Sequence, residues 1–205
     1  GEVFAGLLPG AAGDAQVQRI WQALAELNYR RDRFPEALAI IEQRFGRQSA
    51  PEPAVLLAVK ALMRMGRYAE AVAWIGPEVS SLPESRYLRF NLAVALVGSG
   101  DAGGGATMLE GLLAAPAEDD EMRALRDRVA LALAATRLQQ QRPAEAMAAL
   151  AHAQLDGVYS SEALLIYGIS ATRNNEVPRA VAALTRLVDR SPHEQAVQEG
   201  WVALG

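Results

Sequence analysis

The chain has 205 residues, of which 51% are hydrophobic and 21% are charged, so a disordered or collagen-like polypeptide is excluded. Its formal net charge of −4 disfavours a general binder of nucleic acid or of anionic membranes. Cysteine is absent, which excludes disulfides, thiolate metal sites and a cysteine nucleophile. No apolar run approaches the ~20 residues that a bilayer requires, so direct membrane insertion is not predicted.

The sequence repeats a pair of small residues separated by eleven others. The first members of the pairs are Ala25, Val59, Ala93, Ala134 and Gly168, with valine as the bulky exception. The second members are Ala37, Ala71, Gly105, Ala146 and Ala180. The successive spacings in both series are 34, 34, 41 and 34 residues. A recurring period of this size predicts stacked structural repeats.

Each repeat is predicted to contain two helices joined by a turn. In the first repeat, apolar residues recur at helical spacing around Trp21, a turn follows at residues 31–33, and Pro35 starts the second helix. The second repeat has its turn at Gly66, and Gly76 followed by proline should end its second helix. Alternation with a period of two residues is nowhere sustained, so we predict an all-α fold.

The step of 41 residues predicts a longer first helix in the fourth repeat. The extra seven residues lie in or near residues 116–126 and correspond to about two helical turns. The acidic run at 118–121 should start this helix, because carboxylates suit its positive end. In the third repeat, glycines at 103–105 weaken the start of the second helix and leave its register open by one residue.

This pattern resembles the tetratricopeptide repeat (TPR) family, and the resemblance covers residues 15 to 205. The matching residues are Trp21, Leu24, Ala25 and Ala37, then Gly66, Tyr68, Ala71 and Pro83, then Leu92, Ala93, Gly100 and Leu109, and finally Gly168, Ala180 and Pro192. The resemblance implies an α–α superhelix, a right-handed solenoid of helix–turn–helix repeats.

The expected organisation is an N-terminal segment at 1–14 followed by a TPR array at 15–205. The repeats are expected at 18–51, 52–85, 86–119, 127–160 and 161–194, with a terminal or capping helix at 195–205. Residues 2–8 could be the remnant of a preceding helix, and Trp201, Leu204 and Gly205 reproduce the opening of a further repeat. The chain is therefore expected to be a piece of a longer array, or alternatively to end in a solvating cap.

No constellation of side chains points to catalysis, and neither a cofactor nor a metal is predicted. Gly98, Gly100 and Gly103 spell G-x-G-x-x-G, but the segment is in phase with the other helical turns, so a permissive turn is the better interpretation. Only two histidines exist, His152 and His193, and they lie more than one repeat apart, so surface or capping roles are the better interpretation. A nucleotide-binding enzyme using this glycine segment is the remote alternative.

The TPR resemblance implies that first helices line a concave groove that holds a protein or peptide. The predicted groove residues are Tyr29, Arg30, Leu56, Lys60, Met63, Arg64, Tyr87, Phe90, Val94, Leu131, Leu138, Ile169 and Arg173. An apolar middle with arginine at the edges suits an amphipathic helix or extended segment with acidic flanks. We expect binding energy to concentrate at Tyr87, Phe90, Met63 and Arg64. The alternative is that tight curvature buries the apolar members.

The predicted function is a non-catalytic interaction scaffold. Nineteen of the 20 basic residues are arginine, which suggests a GC-rich bacterium. The sequence is similar in this respect to TPR segments of bacterial envelope and exopolysaccharide-export assemblies, which favours the periplasm over the cytoplasm. A structural spacer that self-associates through the ends of the array is the alternative function.

Overall fold

The computed structural model describes residues 11–47, 49–76, 85–154, 157–190, 196 and 198–200. These residues form ten helices and no strand, followed by helical residues at 196 and 198–200. The helices are α1 (Ala11–Arg30), α2 (Phe34–Phe45), α3 (Glu52–Arg64), α4 (Tyr68–Ile75), α5 (Arg86–Gly98), α6 (Ala102–Ala114), α7 (Asp120–Gln139), α8 (Pro143–Leu150), α9 (Ser160–Arg173) and α10 (Val177–Val188).

The chain divides into two compact units. The N-terminal unit, Gly1–Ser99, contains α1 to α5, and the C-terminal unit, Gly100–Gly205, contains α6 to α10. In the N-terminal unit, α1 packs on α2, α3 on α4, and the first helices α1, α3 and α5 lie in sequence. In the C-terminal unit, α7 packs on α8, α9 on α10, and α7 also contacts α9. Each unit therefore contains two of the predicted helical hairpins.

Every turn between the paired helices contains one residue with positive φ. These residues are Asp32, Gly66, Gly100, Gln141 and Asn175. Their spacing of 34, 34, 41 and 34 residues repeats the period of the small residues. At four of the turns a backbone N–H reaches back five residues, as from Glu176 to the Ala171 carbonyl at 2.8 Å, which satisfies a carbonyl at the helix end. The backbone thus repeats even where the turn residue is not glycine.

The small residues predicted to allow close helix contact are buried. Ala25, Val59, Ala93 and Ala134 are fully inaccessible, and Gly168 is buried as well. The partners in the second helices, Ala37, Ala71, Gly105, Ala146 and Ala180, are also buried. A small side chain at these positions lets the two helix axes approach each other, so the period reflects helix packing.

The predicted long first helix of the fourth repeat is confirmed. Helix α7 has 20 residues, compared with 13 in α3 and in α5. Asp119 caps its N-terminus, since its carboxylate accepts a hydrogen bond from the Met122 amide at 2.7 Å. Asp120 and Glu121 occupy the first turn, where negative charge is favourable.

The repeat boundaries stay a prediction. Helix α1 begins at Ala11, four residues before the expected start of the array at 15. The possible helix remnant at 2–8, the terminal Trp201, Leu204 and Gly205, and the predicted Pro83 and Pro192 signals lie outside the described residues.

Candidate partner-binding surface

Helices α1 and α3, the first helices of the first two repeats, enclose a cavity of about 290 Å³ between them. We call it the α1–α3 cavity. It is lined by Gln22, Glu26, Tyr29, Arg30, Pro53, Leu56, Leu57 and Lys60. Four of the predicted groove residues, Tyr29, Arg30, Leu56 and Lys60, are therefore brought together at one site. Its walls combine apolar side chains with charged groups at the helix ends.

An aromatic contact fixes one end of this cavity. The ring of Tyr29 meets the ring of Phe34 at a centroid distance of 5.3 Å and an interplanar angle of 62°. The guanidinium of Arg64 lies 4.8 Å from the centroid of the same Phe34 ring. An edge-to-face pair and a cation over an aromatic ring are both favourable arrangements. Tyr29 and Arg64 are thus positioned by one shared partner from the start of α2.

The charged residues beside the cavity form exposed ion pairs. Arg30 donates a hydrogen bond to Glu26 at 2.6 Å, and Arg64 donates one to Asp32 at 3.3 Å. Exposed pairs of this kind contribute about 0–1 kcal/mol, because water solvates the separated charges well. A partner carboxylate can therefore replace Glu26 or Asp32 at little energetic cost.

The structure corrects the prediction for Phe90. Its side chain is 6% exposed and belongs to the core, so it offers no surface to a partner. The physical reason is that α5 packs on both α3 and α4 and is apolar around most of its circumference. Tyr87 and Val94, on the same helix, are half-buried, and Met63 on α3 is half-buried as well.

The remaining predicted residues lie in the C-terminal unit. Leu131 and Leu138 are half-buried on α7, and Arg173 is exposed at the end of α9. Ile169 is half-buried and packs against the cluster formed by α9 and α10. None of these four residues lines the cavity that lies among α8, α9 and α10 of this unit.

That second cavity was not predicted from the sequence. Its walls are rich in alanine, and two arginines from α10 stand beside it. A sequence signal was present in the spacing of Arg179 and Arg186, which lie seven residues apart and therefore on one side of a helix. The early end of α8 at Leu150 had no comparable signal, because alanine continues on both sides of that point.

The glycine segment at 98–103 belongs to a helical turn. Gly98 ends α5, Gly100 has a φ of 104°, and α6 begins at Ala102. The Asp101 carboxylate accepts a hydrogen bond from the Gly104 amide at 2.8 Å and caps α6. A carboxylate of the chain itself thus lies where a dinucleotide fold would place a pyrophosphate.

Arg67 and Glu70 form a surface pair with shifted pKa values. The hydrogen bonds from Arg67, both 2.6 Å long, lower the pKa of the Glu70 carboxyl, and the same pair raises the pKa of Arg67. Both residues are exposed at the start of α4, and the bidentate geometry is typical of a structural ion pair.

Among the described residues, no group of three His, Asp or Glu side chains is placed to hold a metal. Within the same residues, no helix is both long and apolar enough to span a bilayer.

At the sequence level, no family model and no curated protein matches the chain. Solved structures match it with low identity. A mutant of MamA is 12% identical with a TM-score of 0.62, covering 86% of this chain and 98% of that one. TTC0263, a thermophilic TPR protein of Thermus thermophilus, is 17% identical with a TM-score of 0.61, covering 91% and 98%. YrrB, described as a TPR protein with an unusual peptide-binding site, is 17% identical with a TM-score of 0.60, covering 89% and 90%.

These similarities concern the fold. Together with the repeated helical hairpins, they confirm the predicted fold class, an all-α fold of TPR-like repeats of the α–α superhelix type.

Proposed function

We propose that the chain is a non-catalytic scaffold that binds a protein or peptide segment along the first helices of its N-terminal unit. The observation that carries the proposal is the α1–α3 cavity, which unites Tyr29, Arg30, Leu56 and Lys60. A concave site with apolar walls and a few charged groups is the usual form of a recognition site. TPR-like folds expose such sites between successive first helices.

The chemistry of the cavity suggests the chemistry of the partner. Pro53, Leu56 and Leu57 supply apolar surface from α3, while Arg30 and Lys60 supply positive charge. A segment with one or two bulky apolar residues and adjacent carboxylates complements this arrangement. The exposed Arg64 extends the positive charge beyond the cavity towards the turn after α1. The half-buried Met63, Tyr87 and Val94 would continue the surface along α3 and α5.

The surface of the C-terminal unit is a further part of the proposal. Leu131 and Leu138 on α7, with Ile169 and Arg173 on α9, would form the corresponding first-helix surface there. Since α7 and α9 are in contact, a segment could lie along both helices. Arg173 is exposed at its edge, so it should act mainly on the association rate and its salt dependence.

Selection of peptides from a random display library tests the proposal. We expect selected peptides to combine bulky apolar and acidic residues and to lose about tenfold or more in affinity when Leu56→Asp is introduced. Lys60→Glu should weaken the same peptides without removing apolar surface. Val181→Asp is the matched control, because Val181 is an exposed apolar residue of α10 that lines neither cavity.

Equal affinity for the Leu56→Asp and Val181→Asp chains would exclude the α1–α3 cavity as the binding site. Because Leu56 is half-buried, thermal unfolding of each variant is measured alongside. If Leu56→Asp loses its cooperative transition, Lys60→Glu decides the question, because Lys60 lines the same cavity and supplies charge but no large apolar surface.

The structural alternative, self-association, is supported by one specific observation. Ile20, Leu24 and Leu27 are exposed on α1 at helical spacing and form an apolar stripe. Sedimentation should reveal oligomers that disappear in a Leu24→Asp and Leu27→Asp double variant if this stripe is an interface. A monomer at all concentrations would exclude it.

The proposed setting is a bacterial envelope or exopolysaccharide-export assembly in the periplasm. It is supported by the similarity of the arginine-rich composition to TPR segments of such assemblies. Fractionation of cells that express the tagged natural protein tests it, and recovery in the cytoplasmic fraction would contradict it.

A further inference from the structure

The C-terminal unit contains a cavity of about 490 Å³ among α8, α9 and α10, which we call the α8–α10 cavity. It is lined by Leu150, Ala151, Ala153, Ala163, Leu164, Tyr167, Arg179, Ala182, Ala183 and Arg186. Eight of these ten residues are alanine, leucine or tyrosine, and the other two are arginine. Its volume lies within the ~300–1,000 Å³ range of ligand sites in proteins.

The cavity lies at the C-terminal end of α8, where Leu150, Ala151 and Ala153 line it. Helix α8 has 8 residues, whereas α10 has 12 and α6 has 13, so about one turn of helix is missing after Leu150. The chain beyond α8 is drawn towards α7 instead. The Gln154 amide donates to Asp127 Oδ1 at 3.1 Å, and Gln154 Nε2 donates to Oδ2 at 3.4 Å.

The positive charge of the cavity comes from one wall. Arg179 and Arg186 lie two helical turns apart on the same side of α10. Arg179 forms an exposed pair with Glu176 at 2.5 Å. Arg186 makes no hydrogen bond or ion pair with another residue in the described ranges. A guanidinium beside an apolar cavity, with its donors unused by these residues, is suited to bind an anion.

We propose that the α8–α10 cavity binds a small amphiphilic anion, a molecule with an unbranched apolar body and one carboxylate. The carboxylate pairs with Arg186, with Arg179 beside it, and the apolar body lies on Leu164, Ala182 and Ala183. The charge of the site supports an anionic ligand. The chain as a whole has a net charge of −4, but the two charged residues that line this cavity are both arginines. The site shares no residue with the α1–α3 cavity, so it is independent of the proposed scaffold function.

A small ligand is favoured over an extended peptide by the nature of the walls. Most lining residues belong to α9 and α10, whose backbone donors and acceptors are used within the helices. A peptide that binds by adding a strand needs a free sheet edge for its backbone hydrogen bonds, and these helical walls supply none. Apolar surface and a single kind of charge remain, and these match a simple amphiphile.

Calorimetric titration of the full chain with decanoate tests the proposal. The decanoate concentration is kept below the range in which it forms micelles. Decyltrimethylammonium has the same apolar body and the opposite charge, and 1-decanol has no charge. We expect decanoate to bind with one-to-one stoichiometry and about tenfold or more tightly than decyltrimethylammonium. Arg186→Gln should weaken decanoate by about fivefold or more and leave 1-decanol unchanged.

Two variants establish where the ligand binds. Ala182→Phe places a ring into the cavity from an exposed position of α10 and should weaken decanoate and 1-decanol alike. Arg173→Gln removes an arginine that is exposed on α9 and does not line the cavity, so decanoate binding should not change. Far-UV circular dichroism verifies that each variant keeps its helices. If Ala182→Phe does not fold, the effect of Arg186→Gln on decanoate binding tests the location of the site.

Three results would overturn the proposal. Equal binding of decanoate and decyltrimethylammonium would mean adsorption to apolar surface without charge recognition. Unchanged decanoate binding in Arg186→Gln would remove the anion site. Absence of decanoate binding, together with binding of acidic–apolar peptides that Ala182→Phe abolishes, would assign the cavity to a polypeptide segment instead.

Discussion

Gly168 on α9 approaches Leu184 on α10 so closely that a Cβ at Gly168 would lie 2.7 Å from both Cδ2 and Cγ of Leu184. Leu184 is buried in the cluster formed by these two helices, so it cannot swing away into solvent. The equivalent position of the second repeat is Val59, which is also fully buried. The second repeat therefore accommodates a valine at this position, whereas the α9–α10 pair leaves no room for a Cβ.

Gly168→Ala should destabilise the chain. Alanine favours a helix interior by about 1 kcal/mol over glycine, but overpacking a buried site costs about 1–3 kcal/mol. We expect a net loss of about 1 kcal/mol in the free energy of unfolding measured in urea. In the background of Leu184→Ala, which removes the facing atoms, the same substitution should cost nothing further.

Gly111→Ala is the matched control, because a Cβ at Gly111 on α6 would meet no atom within 4 Å. It should stabilise the chain by about 0.5–1 kcal/mol through helix propensity. A stabilising Gly168→Ala of similar size would contradict the close packing of α9 on α10.

Two equivalent turn residues with positive φ, Gly66 and Gln141, predict substitutions with opposite effects on the free energy of unfolding. Gly66 has a φ of 71° with open space around its Cα, so Gly66→Ala should cost about 1 kcal/mol from the backbone alone. Gln141 adopts a φ of 60° with a side chain, so Gln141→Gly should stabilise by up to about 1 kcal/mol. Thermal and urea unfolding measure both, and effects of the same sign would contradict the equivalence of the two turns.

Arg137 connects three helices of the C-terminal unit. From α7 it bonds Glu110 on α6, and its Nε lies 3.1 Å from Glu145 on α8, while its own side chain is 12% exposed. Arg137→Met should lower the free energy of unfolding by about 1–2 kcal/mol. Arg137→Lys should not restore it, because an ammonium cannot bridge both carboxylates with the planar geometry of a guanidinium.

The control for Arg137 is Arg142→Gln. Arg142 contacts the same Glu145 at 3.5 Å from a more exposed position, so its loss should change stability by less than about 0.5 kcal/mol. Equal losses for both variants would show that burial of Arg137 does not strengthen its ion pairs.

The Arg67–Glu70 pair predicts a measurable pH effect. The hydrogen bond from Arg67 lowers the pKa of Glu70, so the folded chain holds the carboxylate proton more weakly than the unfolded chain does. The pair's contribution to stability is therefore complete above the unfolded pKa of about 4.3, and is lost as pH falls through the lower folded pKa. NMR titration of Glu70 should show its pKa rising in Arg67→Gln, and rising less in Arg47→Gln, because Arg47 acts only through its charge.

The sequence was sufficient for features that depend on neighbours close along the chain. The spacing of Ala25, Ala37 and their equivalents predicted the hairpins, and the acidic run before Asp120 predicted the start of α7. The TPR resemblance placed Tyr29, Arg30, Leu56 and Lys60 on first helices, and their role in binding stays a prediction. Such features are set by helical periodicity and by capping, which are local properties.

Features that depend on packing between elements could not be predicted. Phe90 occupies the repeat position of Leu56, but its ring packs into the core and is 6% exposed, whereas Leu56 is half-buried at the α1–α3 cavity. Gln141 adopts positive φ without glycine because the hairpin around it imposes the turn. The loop after α8 is held by hydrogen bonds between Asp127 and Gln154, which are distant in sequence and leave no signal in an alanine-rich segment.

Asp127 should therefore be necessary for the chain path after α8. Its side chain is 3% exposed, and it accepts hydrogen bonds from both the backbone and the side chain of Gln154. A Cβ at Gly157 would lie 3.0 Å from Asp127 Oδ2, so the loop passes close to the carboxylate. Asp127→Ala leaves the Gln154 donors without this acceptor and should cost about 1–3 kcal/mol. Asp127→Asn keeps an acceptor for the Gln154 amide and should cost less. Hydrogen exchange at the Gln154 amide should accelerate strongly in Asp127→Ala and weakly in Asp127→Asn, and unchanged protection in both would show that another contact holds this loop.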